Sequence, residues 1–167
     1  MSGKPAPDPL PALDAIDRKI LHHLQRDNRI ANQDLARAVG LSPPACLKRV
    51  RRLRETGVIL ADVSLVDPRA LGYSVMVIAH LSLDRPREDL VQAFERKVRE
   101  LPEVIQCWTV AGETDMVLLV CARSLDEYQN FARNVLSSEL NLRDYRSDIV
   151  LSAVKPLSPI PTDGEKT

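Results

Sequence analysis

The sequence predicts an α+β chain in two parts, a three-helix segment followed by a segment ordered βαββαβ. Three observations carry this. Apolar residues recur at helical spacing as far as Leu53, then alternate with period two from Val75. Gly40 and Gly57 each close a helical pattern where a left-handed residue is needed. The charge also divides: Lys and Arg outnumber Asp and Glu by 11 to 7 through Asp62, and are outnumbered 12 to 16 from Val63 onward. The whole chain of 167 residues is nevertheless neutral, with 23 of each sign, so the total conceals a basic part joined to an acidic one.

Residues 1–12 carry Pro5, Pro7, Pro9 and Pro11, which remove donors and oppose helix, and read as a flexible tail. Asp14 then caps a helix over Ala15 to Gln25, with Leu13, Ile16, Ile20, Leu21 and Leu24 on one stripe. Asn32 is the expected cap of a short second helix carrying Leu35, Ala36 and Val39, closed by Gly40. Ser42 and Pro43 read as N-cap and first position of a third helix, SPPACLKRVRRLRETG. At about 100° per residue, one of its faces holds Cys46, Leu47, Val50 and Leu53. The opposite face shows Pro44, Ala45, Lys48, Arg51, Arg52 and Glu55, with Arg49 on the flank. Three helices, a tight glycine turn and a last helix basic on its outer face follow helix-turn-helix logic. Arg and Lys on that face would meet guanine edges or phosphates, and Ser42 with the free N–H groups of the helix start would favour a phosphate. Val58-Ile59-Leu60 and Val63-Ser64-Leu65-Val66 predict a short β-ribbon, which would make the module winged. Residues 13–62 are thus the DNA-binding domain and 63–73 the linker. His22 and His23 are adjacent, so they face different ways on a helix and read as exposed polar residues rather than a metal pair.

In the second part, Val75, Val77, Ala79, Leu81 and Leu83 form one strand face, with Met76, Ile78 and His80 on the other. Pro86, Glu88 and Asp89 start a helix carrying Leu90, Val91, Phe94, Val98 and Leu101. A strand over Val104 to Ala111 leads through Gly112-Glu113-Thr114 to Asp115 and a third strand, Met116 to Ala122. A helix with Leu125, Tyr128, Phe131, Val135 and Leu136 precedes a last strand from about Tyr145 to Val154. This order is the split βαβ sandwich, the ferredoxin-like arrangement, over residues 74–156, with a frayed tail at 157–167. Apolar residues on both faces of the sheet call for a second subunit, so a sheet-to-sheet dimer is expected, with His80 packed against a partner strand. Cys107 and Cys121 read as small core residues.

Other classes fit poorly. No apolar run approaches the ~18 residues of a membrane span, and the N-terminus lacks the apolar region of a secretory signal. Cys46, Cys107 and Cys121 are far apart with no CxxC pair, against both disulfides and zinc. GxGxxG, GxxxxGK and GxSxG are all absent, so neither a phosphate-binding cofactor nor a nucleophilic triad is expected. The expectation is a cytoplasmic protein with no cofactor, no metal and no membrane partner.

Three stretches, LDAIDRKILHHLQRDNRI, DLARAVGLSPPACLKRVRRLRETGVI and AGETD, resemble the Lrp/AsnC (feast/famine) transcriptional regulators, and the likeness runs from about Leu13 to Pro156. The resemblance implies a winged helix-turn-helix joined to a ligand-sensing domain, binding double-stranded DNA. It also implies dimers assembling into tetramers or octamers, with an amino acid-like effector. By position, Ser42, Pro43, Pro44, Ala45, Lys48, Arg49 and Arg52 fall on the family's DNA-reading helix. Thr109, Val110, Ala111, Gly112, Glu113, Thr114 and Asp115 fall on its effector turn, with Leu125, Asp148 and Ile149 near the same cleft, between sensing domains of neighbouring dimers. Backbone N–H groups at Gly112 suit a carboxylate, and Glu113 or Asp115 suits an ammonium. The sequence departs from the family at Met116, at SSELNLRDY in place of a Pro-Gly loop, and at Asp148, where an aromatic is common. These differences leave the effector's identity open, and the acid at 148 favours a cationic or polar amino acid.

Two rival functions come with the resemblance. An architectural DNA-binding protein without effector would bind random DNA as tightly as any promoter. An AsnC-like tetrapyrrole decarboxylase would need a histidine and basic residues in the sensing cavity, where His80 stands alone and the basic helix is intact.

Overall fold

The computed structural model describes residues 11–84, 88–136, 141–155 and 157–162. The chain divides into two compact units, Met1–Ser64 with Lys155–Thr167, and Leu65–Val154.

The first unit holds α1 (Ala15–Leu24), α2 (Asn32–Val39) and α3 (Pro43–Glu55). Their apolar stripes meet in one core of Ile20, Leu35, Ala36, Val39, Cys46, Val50 and Leu53. Gly40, at φ 73°, makes the turn between α2 and α3, and its left-handed backbone lets the Leu41 N–H reach the Ala36 carbonyl at 2.9 Å. Leu47, expected on the buried face of α3, is 38% exposed, because it lies at the edge of the stripe that Cys46, Val50 and Leu53 centre.

Four local expectations differ. Asn32 is the first residue of α2 rather than its cap; the cap is Ala31, and the Asn32 amide instead donates to the Pro43 carbonyl at 2.9 Å, tying the starts of α2 and α3 together. The β-ribbon is absent among the described residues. Val58 and Ile59 fold back onto the helical core, with the Ile59 N–H donating to Leu53, while Leu60, Val63, Leu65 and Val66 stand exposed. With two residues between the segments and no glycine to make a primed turn, no hairpin closes in a single chain. The C-terminal segment is not frayed over its described part. Gln25 of α1 grips the backbone of Ile160 at both ends, accepting from its N–H at 2.7 Å and donating to its carbonyl at 3.1 Å. Beside it, His22 meets Thr162 at 3.3 Å; His22 and His23 are half-buried, not exposed.

The second unit holds β1 (Val75–Leu83), α4 (Glu88–Arg99), β2 (Val104–Thr109), β3 (Met116–Ala122), α5 (Leu125–Phe131, widening into a π-helical turn over Ala132–Leu136) and β4 (Leu142–Ile149). The sheet is antiparallel throughout in the order β2-β3-β1-β4, as the βαββαβ sequence requires. Both central strands are buried on the helix side: Val77, Ala79, Leu81, Met116, Leu118 and Val120 pack on Phe94 and Val98 of α4 and on Tyr128 and Phe131 of α5. Tyr128 also spans to β4, where its hydroxyl meets Ser147 at 2.5 Å. Pro86, expected to start α4, lies outside the described residues.

β4 begins and ends earlier than its apolar pattern suggested. Its ladder with β1 ends at Val77 opposite Ile149, with one further bond from the Val150 N–H to the Met76 carbonyl at 2.9 Å, and Leu151 and Val154 are almost wholly exposed. No described helix is long and apolar enough to cross a membrane.

Candidate DNA-reading helix and ligand turn

The position of α3 is set by a carboxylate that the sequence reading passed over. Asp14 and Asp17 form a reciprocal cap at the start of α1: the Asp17 N–H donates to Asp14 Oδ1 at 2.8 Å and the Asp14 N–H to Asp17 Oδ2 at 3.2 Å. Asp17 is 1% exposed, and such a charge must be paired. Both its oxygens take guanidinium donors from α3, Arg49 at 2.9 Å and Arg52 at 2.5 Å; Arg49 also reaches Asp14 at 2.6 Å. Arg54 pairs with Asp62 at 2.9 Å. The signal was present in the DAID tetrapeptide, where an acid three residues after an Asp cap is a capping box.

The predicted reading face is thereby divided. Ser42, Pro43, Pro44, Ala45, Lys48 and Arg51 are exposed along one side of α3, and neither Lys48 nor Arg51 has an ion-pair partner among the described residues. Arg49 and Arg52 are drawn down against α1. The helix start is also poorer in donors than expected. Pro43 and Pro44 carry no N–H, and the Cys46 N–H is bonded to Ser42, which leaves the Ala45 amide as the free donor of the first turn. Ser42 occupies the cap position but makes no side-chain cap bond, so its hydroxyl remains available.

The Asp17 amide, then the Arg49 guanidinium, holds the Asp14 carboxyl below the usual aspartate range. Stability from this capped pair is therefore fully present above that range and is lost as the pH falls through the depressed Asp14 value. Thermal melts in acid should show the wild-type midpoint falling more steeply with pH than that of Asp14→Ala; parallel slopes would remove Asp14 as the linked group.

In the second unit the turn between β2 and β3 exposes Thr109, Val110, Ala111, Gly112 and Glu113, while Thr114 and Asp115 are half-buried. Asp115 is committed to the sheet. Its Oδ2 accepts from the Leu83 N–H at 2.7 Å, its own N–H donates to Leu81 at 2.9 Å, and its carbonyl accepts from Val110 at 3.0 Å. It closes the β1–β3 end of the sheet and its hairpin together. Glu113 is the acid of this turn that stands in solvent.

The remaining cleft residues are not brought to the turn within one chain. Met116, where the turn ends, pairs with Leu81, whereas Asp148 and Ile149 pair with Ile78 and Val77, and Leu125 follows the far end of β3. Six strand steps lead from Met116 to Ala122, a span of about 20 Å. Asp148 lies on the face away from the helices, 3.1 Å from His80 and 3.4 Å from Arg146, so His80 has an acidic partner inside its own sheet. Leu125 and Ile149 are about half exposed. Burial pushes the thiols of Cys46, Cys107 and Cys121 up, which keeps them protonated and inert.

A three-helix unit with a glycine turn and a basic third helix, joined to a four-stranded βαββαβ unit with an exposed glycine-acid turn, defines a DNA-binding regulator with a ligand-sensing domain. Family models agree on both parts: the AsnC-type helix-turn-helix domain matches residues 13–54 and the Lrp/AsnC ligand binding domain residues 76–160. The chain belongs to the Lrp/AsnC family of transcriptional regulators. It is 38% identical to an uncharacterized HTH-type transcriptional regulator of Sinorhizobium fredii, over 90% of this chain and 89% of that one. It is 36% identical to the leucine-responsive regulatory protein of Escherichia coli, over 86% of this chain and 87% of that one. Among solved structures, it resembles a transcriptional regulator of Neisseria meningitidis in complex with L-Met, with a TM-score of 0.84 at 30% identity, covering 91% of this chain and 98% of that one. AsnC of Escherichia coli matches with a TM-score of 0.80 at 26% identity, covering 89% and 98%.

Proposed function

We propose that this regulator binds double-stranded promoter DNA in the cytoplasm as a homo-oligomer, and that its assembly responds to a small amino acid-like effector. The effector lies between sensing units of neighbouring dimers. Its carboxylate meets the backbone at Gly112, its ammonium meets Glu113, and its side chain meets apolar surface of the kind offered by Leu125 and Ile149. The observation that carries this reading is the ladder register. The Gly112 turn and the Leu125–Ile149 end stand at opposite ends of one sheet, so a cleft containing both needs a second copy. The L-Met complex of the Neisseria meningitidis regulator supports an amino acid as ligand. The half-buried Met76, Ile78, Val117 and Leu119 on the face away from the helices, with Trp108 46% exposed beside them, support a sheet-to-sheet dimer.

A ligand that favours one assembly must bind the two states unequally, and it must raise the melting midpoint of the state it binds. The test melts the full chain with each of the twenty amino acids, then repeats sedimentation with any that stabilise. The expected result is one or a few amino acids that raise the midpoint and change the distribution of assemblies. A raised midpoint with an unchanged, concentration-independent mass would place the site inside a single chain and overturn the shared cleft. No stabilisation by any amino acid, with equal affinity for promoter and random DNA, would favour an architectural protein.

A further inference from the structure

We propose that Asp17 is a positioning residue for specificity, one that decides which cations of α3 meet DNA. The inference rests on the reading of α3 as the DNA-facing helix and extends it. Five basic residues lie on that helix: Lys48, Arg49, Arg51, Arg52 and Arg54. Three are neutralised within the unit, Arg49 by Asp14 and Asp17, Arg52 by Asp17 and Arg54 by Asp62. Asp17 is 1% exposed while the Arg52 side chain is 43% exposed, so the pair has one desolvated member, and the buried carboxylate holds Arg52 more firmly than a fully exposed partner would. Arg52 lies on the same helical face as Lys48 and Arg51, yet its guanidinium is turned inward. The phosphate and base contacts of α3 therefore fall to Lys48 and Arg51, with Ser42 and the Ala45 amide at the helix start.

The physical consequence concerns discrimination. A guanidinium free to swing binds any phosphate, and adds as much to random DNA as to an operator. By withholding Arg52, Asp17 limits the non-specific term while the same two ion pairs fix the angle of α3 on α1. One residue thus lowers background affinity and orients the residues that read bases.

Salt dependence tests this, because each phosphate contact contributes about 0.9 to the slope of log affinity against log salt. The full-length chain is titrated with a duplex selected by it from a random-sequence pool, and with a mixed-sequence duplex of equal length. Arg51→Gln should flatten the slope by about one contact, whereas Arg52→Gln should leave it unchanged. Asp17→Asn frees Arg52 while Arg49 keeps Asp14. Its slope should steepen by about one contact, with the ratio of selected to mixed-sequence affinity falling. A purely structural role for Asp17 lowers affinity without steepening the slope. Equal flattening by Arg51→Gln and Arg52→Gln overturns the proposal while leaving α3 as the reading helix. No flattening by either Arg51→Gln or Lys48→Gln overturns the reading of α3 itself. The Arg52→Gln arm decides the matter even where Asp17→Asn fails to fold.

Discussion

Leu53→Ala is expected to lower the stability of the first unit by about 2–5 kcal/mol and to abolish operator binding near physiological temperature. Leu53 is wholly buried, the last apolar residue of the α3 stripe, and it shares with Ile20 of α1 and Leu35 of α2 a core of seven buried residues edged by partly buried ones. Truncation leaves a cavity that three short helices cannot close without shifting α3, the element whose placement DNA binding depends on. Small cores have little reserve, so this loss is a large fraction of a unit's stability. The sheet core of the second unit shares none of those residues, so calorimetry of the full chain should show the transition of the first unit moved and that of the second retained. Both transitions falling together would mean that the two units melt as one cooperative body.

The same core explains what the sequence disclosed and what it withheld. Helical spacing in α1 and α3, the glycine after α2 and the Ser-Pro start of α3 are local signals, and each agrees with the structure. So are the period-two pattern of β1 and the limits of β3, because central strands buried on the helix side are written in consecutive residues. What was not legible depends on partners distant in the chain. A helical wheel counts Arg49 and Arg52 as solvent cations; only the packing of α1 on α3 puts Asp17, over 30 residues away, beneath them. β4 ends at Ile149 opposite Val77 of β1, a partner distant in the chain, and the apolar residues that follow it give no warning of that. The grip of Gln25 on Ile160 joins residues 135 apart and leaves no periodic trace. For the proposed ligand turn, position along the chain pointed to the loop between β2 and β3, but its two acids look alike in sequence. The bond from the Leu83 N–H shows that Asp115 is spent on the sheet, while Glu113 stands exposed.

That distinction yields the second large effect. Asp115→Ala should cost about 1–3 kcal/mol of sensing-unit stability, because the Leu83 N–H, in a residue only 4% exposed, loses its acceptor at 2.7 Å. The effector response should fall with it, because the side-chain bond to Leu83 pins the hairpin that presents Gly112 against β1, although the backbone bonds of residue 115 to Val110 and Leu81 are kept. Loss of response in the alanine variant therefore does not identify a ligand contact. Asp115→Asn separates the two roles: an amide oxygen still accepts from Leu83, while the charge an ammonium would need is gone. With the carboxylate committed to β1, Asp115→Asn should keep stability and amino acid affinity near wild type. Glu113→Gln, at an exposed side chain, should keep stability and weaken the amino acid. Calorimetric titration of the stabilising amino acid into both variants decides between them. If Asp115→Asn melts like wild type yet loses the ligand, then Asp115 binds the ammonium directly and its bond to Leu83 merely holds it ready to do so.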